Sequence, residues 1–222
     1  MAVMMYNSII MEKKIFKELE DYLFEFYEKS IVVAQVVAGI VGVKIGLKSA
    51  TVFIIKENEL KNADIDKMRR LFEENSLELL MFKNKSFDYQ EKEWSWYIDC
   101  FCAQDCETAK KLHSAFSELQ ASSDDFGKCF VEPAKIEEIH REIGGLLGYP
   151  ETAIDAFIEC NRSAKRDEKY QDRMARNRYY AHSLEHEEEE YQAFDKVLNQ
   201  AVEQYAERSA EVLRANTQKR WL

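Results

Sequence analysis

Several groups of residues in this chain have types and spacings that could do chemistry. His182, Glu185 and His186, in AHSLEHEEEE, follow the H-x-x-E-H order of an inverted zinc-protease helix, where two histidines share a metal and the glutamate acts as general base. That site needs a third ligand from another element, and the 36 residues after His186 read as more of the same helix, so an exposed helix face is expected. Cys100, Cys102 and Cys106 form C-x-C-x-x-x-C, which is no conventional zinc spacing and reads as buried thiols of a core strand. GIVGVKIGLKS approximates a phosphate loop, but Leu47 intrudes between Gly46 and Lys48. Asp99, between aromatic neighbours, is a candidate acid or base if burial raises its pKa, although a solvent-facing strand aspartate is the commoner case. His113 and His140 lie on amphipathic helices with no serine or cysteine obviously paired to them. The expectation is no catalytic residue, no metal site and no cofactor.

One surface feature stands above these. Arg162, Arg166, Lys169, Arg173 and Arg176 recur at intervals of four and three, which on a continuous helix makes one basic stripe. At a rise of about 1.5 Å per residue it runs about 20 Å. It could track nucleic-acid phosphates, with Tyr170, Tyr179 and Tyr180 available for stacking. It could also dock on an acidic domain, pair with Asp167, Glu168 and Asp172, or meet a protein partner.

Charge favours the latter readings. The chain has 31 Lys and Arg against 41 Asp and Glu, a net charge of -10 that repels phosphate backbones at long range. Residues 161–222 hold 12 basic and 12 acidic side chains, so residues 1–160 carry the whole imbalance. That asymmetry places a boundary near Asn161, between an acidic globular part and a neutral, densely charged one. With 46% hydrophobic residues the chain can bury a core. Five cysteines, an odd count without a secretory leader, suit a reducing cytoplasm. The apolar run from Ile31 to Val43 is too short for a membrane span.

The elements follow from periodicity. Ile15, Phe16, Leu19, Tyr22, Leu23 and Phe26 recur at three and four, which is an amphipathic helix. Ile31–Ala38 reads as a buried helix ended by Gly39 or as the first of the strands that follow, the helix being favoured, with strands at Val41–Gly46 and Ala50–Lys56. Ile65, Met68, Leu71 and Phe72 mark a helix capped by Asn62 or Asp64, followed by a strand at Leu77–Phe82 and a polar loop, KNKSFDYQEKE. In EWSWYIDCFC the alternation turns Trp94, Trp96, Ile98, Cys100 and Cys102 to the core. Asp105 caps the helix that carries Ala109, Leu112, Phe116 and Leu119.

From Pro133 onward every pattern is helical. After Cys160 no proline or glycine occurs, so one long helix or a helical hairpin is expected. Leu184, Tyr191, Leu198, Tyr205 and Val212 fall at intervals of seven, with Phe194, Ala201 and Ala215 between them, a coiled-coil-like seam interrupted by Glu187 and Arg208.

Between two of these helices stands GGLLGYPE. Gly148 suits the left-handed end of a helix, Pro150 the start of the next, and Glu151 the positive end of its dipole. Gly144 and Gly145 allow close approach of another element. Gly148, Tyr149, Pro150 and Glu151 thus form a structural corner. Glu151 and Asp155 at the head of the second helix disfavour a helix-turn-helix on duplex DNA.

LLGYPETAIDAF is similar to the LLGYPECC segment of a mainly archaeal uncharacterised family, domain of unknown function 483, and IGLKSA at Ile45–Ala50 resembles a second segment of it. The resemblance covers about residues 40–160. The family's cysteine pair is replaced by Thr152 and Ala153, so no metal or redox chemistry transfers.

The expected protein is α+β: a small mixed sheet with packed helices over residues 1–160, then a long helical appendage over 161–222. The expected role is non-catalytic, an interaction or assembly protein binding a protein partner or a second copy through its C-terminal helices. The alternatives are an enzyme acting on a nucleotide or RNA, and an acidic regulator of a basic protein. Nucleic acid ranks behind a protein partner, and no membrane is expected.

Overall fold

The computed structural model describes residues 2–88, 93–122, 131–162 and 185–219. Helix α1 (Ala2–Phe26) runs into α2 (Ser30–Lys44) through a short break. Strand β1 (Ala50–Lys56), the single turn α3 (Glu57–Leu60), α4 (Ile65–Glu74), and the hairpin β2 (Glu78–Asp88) and β3 (Glu93–Ala103) follow. Then come α5 (Cys106–Ala121), α6 (Pro133–Leu146) and α7 (Glu151–Arg162). Beyond residue 184 lie a short α8 (Glu187–Glu190), a π-helical turn at Tyr191–Asp195, α9 (Lys196–Tyr205) and α10 (Glu207–Lys219). The architecture is α+β, with a helical C-terminal region and no helix long and apolar enough to cross a membrane.

The sheet differs from expectation in two ways. Its strands lie in the order β1-β3-β2 and every pairing is antiparallel, so it is not mixed. Residues 41–44 belong to α2 and make no strand. A run in which Val33, Ala34, Val37, Ala38, Ile40, Val41 and Val43 are all buried has no polar face, so neither period is visible in its sequence. Gly39 does not stop the helix. A Cβ there would stand 2.6 Å from Thr51 Oγ1, so this glycine lets α2 cross close beneath β1. The chain turns instead at Gly46, whose φ is +72°.

Helices cover both faces of the sheet. Phe53, Ile55, Cys100 and Cys102 face the larger core, built with α1, α2 and α4. Ala50, Phe101 and Ala103 face a smaller core with Ala109 and Leu112 of α5 and Ile139 and Ile143 of α6. Asp64 and Asp105 cap α4 and α5, their carboxylates accepting from the Lys67 and Thr108 amides. Lys83–Asp88 and Glu93, expected in a loop, extend the hairpin instead. β1 pairs with β3 only as far as Tyr97, so Trp94 and Trp96 project beyond the sheet, 54% and 39% exposed, and not into the core.

The described C-terminal helices fold back on this body. Leu198, Ala201, Val202, Ala206, Ala210 and Leu213 are buried in the same core as α2. The buried Glu20 of α1 accepts from the Ser209 amide at 2.7 Å and the Ser209 hydroxyl at 2.6 Å, which caps the first turn of α10. Burial pushes this carboxyl above the usual range, and the two bonds from Ser209 oppose that. The heptad seam is not continuous. The π-helical turn shifts its phase and Ala206, at φ -139° and ψ 70°, breaks the helix, so Tyr191 is exposed while Leu198 and Ala201 are buried. Leu184 lies outside the described residues.

The GGLLGYPE corner forms as its residues require. Leu147 ends α6, Gly148 follows at φ +78°, and Tyr149 N–H donates to Gly144 O (2.9 Å) while Gly148 N–H donates to Gly145 O (3.0 Å), a Schellman motif. Pro150 O accepts from Ile154 N–H, so Pro150 caps α7 and Glu151 is its first residue. Gly144 is the position of close approach, where a Cβ would lie 2.7 Å from the Ile154 side chain, whereas Gly145 faces open space. A Cβ on Gly148 would meet Leu47 O at 2.9 Å, so the corner rests on the Ile45–Ala50 segment.

Gly148→Ala, which adds that clash to a left-handed φ, should lower unfolding free energy by about 1–3 kcal/mol in urea titration. Leu198→Ala should cost about 2–5 kcal/mol in one cooperative transition, because α9 belongs to the common core.

Candidate binding groove at the sheet edge

Among the described residues the sheet order leaves β1 with one side unpaired. Three contacts show which of its backbone groups face outward. Tyr27 Oη donates to Ile54 O at 3.0 Å, the Lys56 amide donates to Glu59 Oε2 at 2.9 Å, and the Trp96 amide of β3 points to Glu57 Oε2 on the β1 side. In an antiparallel ladder the residues alternate, so Thr51, Phe53 and Ile55 bond to Cys102, Cys100 and Ile98. Val52 and Ile54 therefore turn their amides and carbonyls away from the sheet.

A groove of about 800 Å³ runs along this edge. One wall is the start of α2, with Val32, Gln35 and Val36, and the other is α5, with His113, Phe116, Ser117 and Gln120. Val52 and Phe101 contribute to its apolar lining. Glu28 and Asn58, joined at 2.6 Å, lie among its lining residues with Lys29 and Lys56.

Polar side chains converge on it in pairs. Asp99 accepts from the Asn84 amide, and the Tyr97 hydroxyl is bonded to Gln120. The register puts Asn84, Tyr97 and Asp99 on the α5 side of the sheet, since Asn84 pairs with Tyr97, Phe82 with Asp99, and Asp99 with Ile54. Burial pushes the Asp99 carboxyl above its usual value, and the Asn84 bond and the His113 charge act against that. His113 lies flat on Phe82, ring centroids 3.4 Å apart, with its Nε2 3.3 Å from Ser117 Oγ. That hydroxyl also donates to the His113 carbonyl at 2.9 Å. Serine, histidine and aspartate thus share one wall, but Ser117 has a backbone acceptor and Asp99 is engaged by Asn84.

The structure brings together only some of the residues that the sequence singles out. Asp99 and His113 meet in the groove, and the Asp99 side chain is half-buried where a solvent-facing one is the commoner case. Ser117, four residues after His113 on the same helix, is the partner that sequence reading missed, and the i, i+4 spacing was the available signal. No sequence signal marks the open edge of β1. Cys100 and Cys102 are buried strand thiols, their pKa values raised by burial, and Cys106 opens α5. Among the described residues no group of His, Cys, Asp and Glu is arranged to hold a metal. Glu185 is exposed, and His186 pairs with Glu189 at 3.4 Å along its own helix; His182 lies outside the described residues. Of the three glycines of the phosphate-loop lookalike, Gly39 and Gly42 are inside α2 and Gly46 forms the turn after it. Of the basic stripe, Arg162 ends α7, its side chain outside the described residues together with Arg166, Lys169, Arg173 and Arg176. Glu151 pairs with Arg141 at 3.3 Å, and the Thr152 hydroxyl donates to the buried Glu190. Lys48, beside the corner, is a further residue the sequence did not mark: burial pushes its ammonium down to about 8, against the charge of Asp195.

Compared with protein-family models, curated proteins and solved structures, the chain matches none.

Removing the amide that holds Asp99, by Asn84→Ala, should raise the Asp99 midpoint further, because the bond that favours the carboxylate is lost while burial remains. Carbon-13 carboxyl titration by NMR measures this directly, and a midpoint that falls or stays would contradict it.

Proposed function

We propose that this chain is a non-catalytic protein-interaction module that receives an extended peptide segment along the open edge of β1. The observation that carries the reading is the outward set of backbone groups on Val52 and Ile54 at the floor of a groove walled by α2 and α5, with Val32 and Val36 on one side and Phe116 on the other. A strand laid there pairs with Val52 through two hydrogen bonds and with the Ile54 amide through a third, and its alternate side chains meet Val52 and Phe116. Tyr27, on the Ile54 carbonyl, marks where pairing stops. An uncovered edge is a liability that proteins usually blunt, and a dedicated ligand is one reason to keep it open.

The polar pairs of the groove suit recognition better than catalysis. The Ser117 hydroxyl donates to its own helix, the His113 ring lies on Phe82, and Asp99 is held by Asn84. These groups present fixed donors and acceptors to a peptide's side chains. Binding at this edge replaces the C-terminal seam as the contact surface, since Leu198 and Ala201 of that seam already pack on α2.

Selection of the full chain against a displayed random-peptide library, followed by calorimetry on synthetic peptides, tests the reading. Enriched peptides should carry apolar residues at alternate positions. Val52→Pro removes one outward donor without touching the β1–β3 ladder, so it should weaken binding at least about tenfold with an unchanged circular dichroism spectrum. A peptide that binds Val52→Pro as tightly as the wild type would sink the proposal, and so would the absence of any enrichment.

A further inference from the structure

Helices α5, α6 and α7 enclose a second cavity, of about 290 Å³, separated from the groove by the Phe116 side chain, which lines both. Its walls are Phe116 and Leu119 of α5, Ile143 and Leu147 of α6, Phe157 of α7, and the Tyr149 ring of the corner between α6 and α7. Among the described residues no charged side chain lines it. One imidazole does, that of His140, half-buried and set edge-on to Phe157 with ring centroids 5.2 Å apart. Because Gly144 lets α6 and α7 cross at close range, and Ala153 and Ile154 form the crossing, this space is held between rigid elements and not by a loop. Apolar hollows of this size stay poorly hydrated, and small apolar molecules enter them readily.

We infer that this cavity binds a small, uncharged aromatic molecule bearing a single hydroxyl, with the His140 imidazole as its hydrogen-bond partner. Three aromatic rings on the walls offer edge-on and offset contacts to a ligand ring. The neutral imidazole has one N–H donor and one acceptor nitrogen, which matches a hydroxyl that both accepts and donates. Burial pushes the His140 pKa below its usual value, which favours the uncharged ring, and the apolar lining favours an uncharged ligand over a carboxylate. The two sites share the Phe116 side chain, but each proposal has its own probes, so either can fail alone.

Ligand-observed NMR and calorimetry on the full chain test it with two probes, p-cresol and toluene, which differ by the hydroxyl. The expected result is saturable p-cresol binding with a Kd below about 1 mM. His140→Phe should weaken p-cresol by about tenfold and leave toluene within about twofold. Ala153→Leu, which fills the cavity, should abolish both; if circular dichroism shows that variant unfolded, Leu147→Phe takes its place. Absence of saturable binding by p-cresol, or binding that survives the filled variant, overturns the site. Equal loss of both probes in His140→Phe overturns the role of the imidazole.

Discussion

Burial of α2 is the constraint on which the rest of this structure depends. A helix whose residues from Val37 to Val43 are all buried must be enclosed along that length, and here β1 and β3, α1, and α9 with α10 enclose it, leaving Val32 and Gln35 of its first turns at the groove. Two glycines set the distances. Gly39 admits Thr51 of β1, and Gly42 admits the side chain of Lys48, so sheet and corner both reach the helix backbone. The buried Glu20 is satisfied within this packing: it accepts from the Ser209 amide and hydroxyl in the first turn of α10, which ties α1 to α10.

From that packing the groove follows. With α2 crossing close under Thr51 and α5 seated on the opposite face, β1 is left between two helices at the edge of the sheet. The helices form walls on either side of the strand and leave its outward backbone groups between them. The hairpin of β2 and β3 runs past β1, which brings Asn84 and Tyr97 to the groove and projects Trp94 and Trp96 away from the core. Lys83 stands 4.4 Å from the Trp96 ring centroid and Lys85 5.4 Å from that of Trp94, so the exposed indoles are partly covered by ammonium groups of the neighbouring strand.

Local signals were read well where they were strong. The helix cap at Asp105, the Gly148 turn and the amphipathic α1 stand where their residues place them, because capping, left-handed φ and a 3.6-residue stripe act within a few residues of chain. Errors fall where the same residues satisfy two patterns. Ile31–Val43 suits a buried strand and a buried helix equally, and the regular heptads from Tyr191 to Val212 are interrupted by a π-helical turn that no single residue announces. Of the groove, only Asp99 and His113 were legible, as lone titratable residues; their neighbours Asn84, Ser117, Gln120 and Tyr27 come from β2, α5 and the break after α1.

The sequence by itself determined the α+β class, the caps and corner, and the division between an acidic body and a charge-neutral C-terminal region, since composition and short-range sterics suffice for those. Tertiary structure alone decided that α9 and α10 return to the core, that β1 is an edge and that His140 faces a hollow. Each of these depends on which surfaces meet across tens of residues, and apolar burial, being non-directional, leaves no mark of that choice in the order of the amino acids.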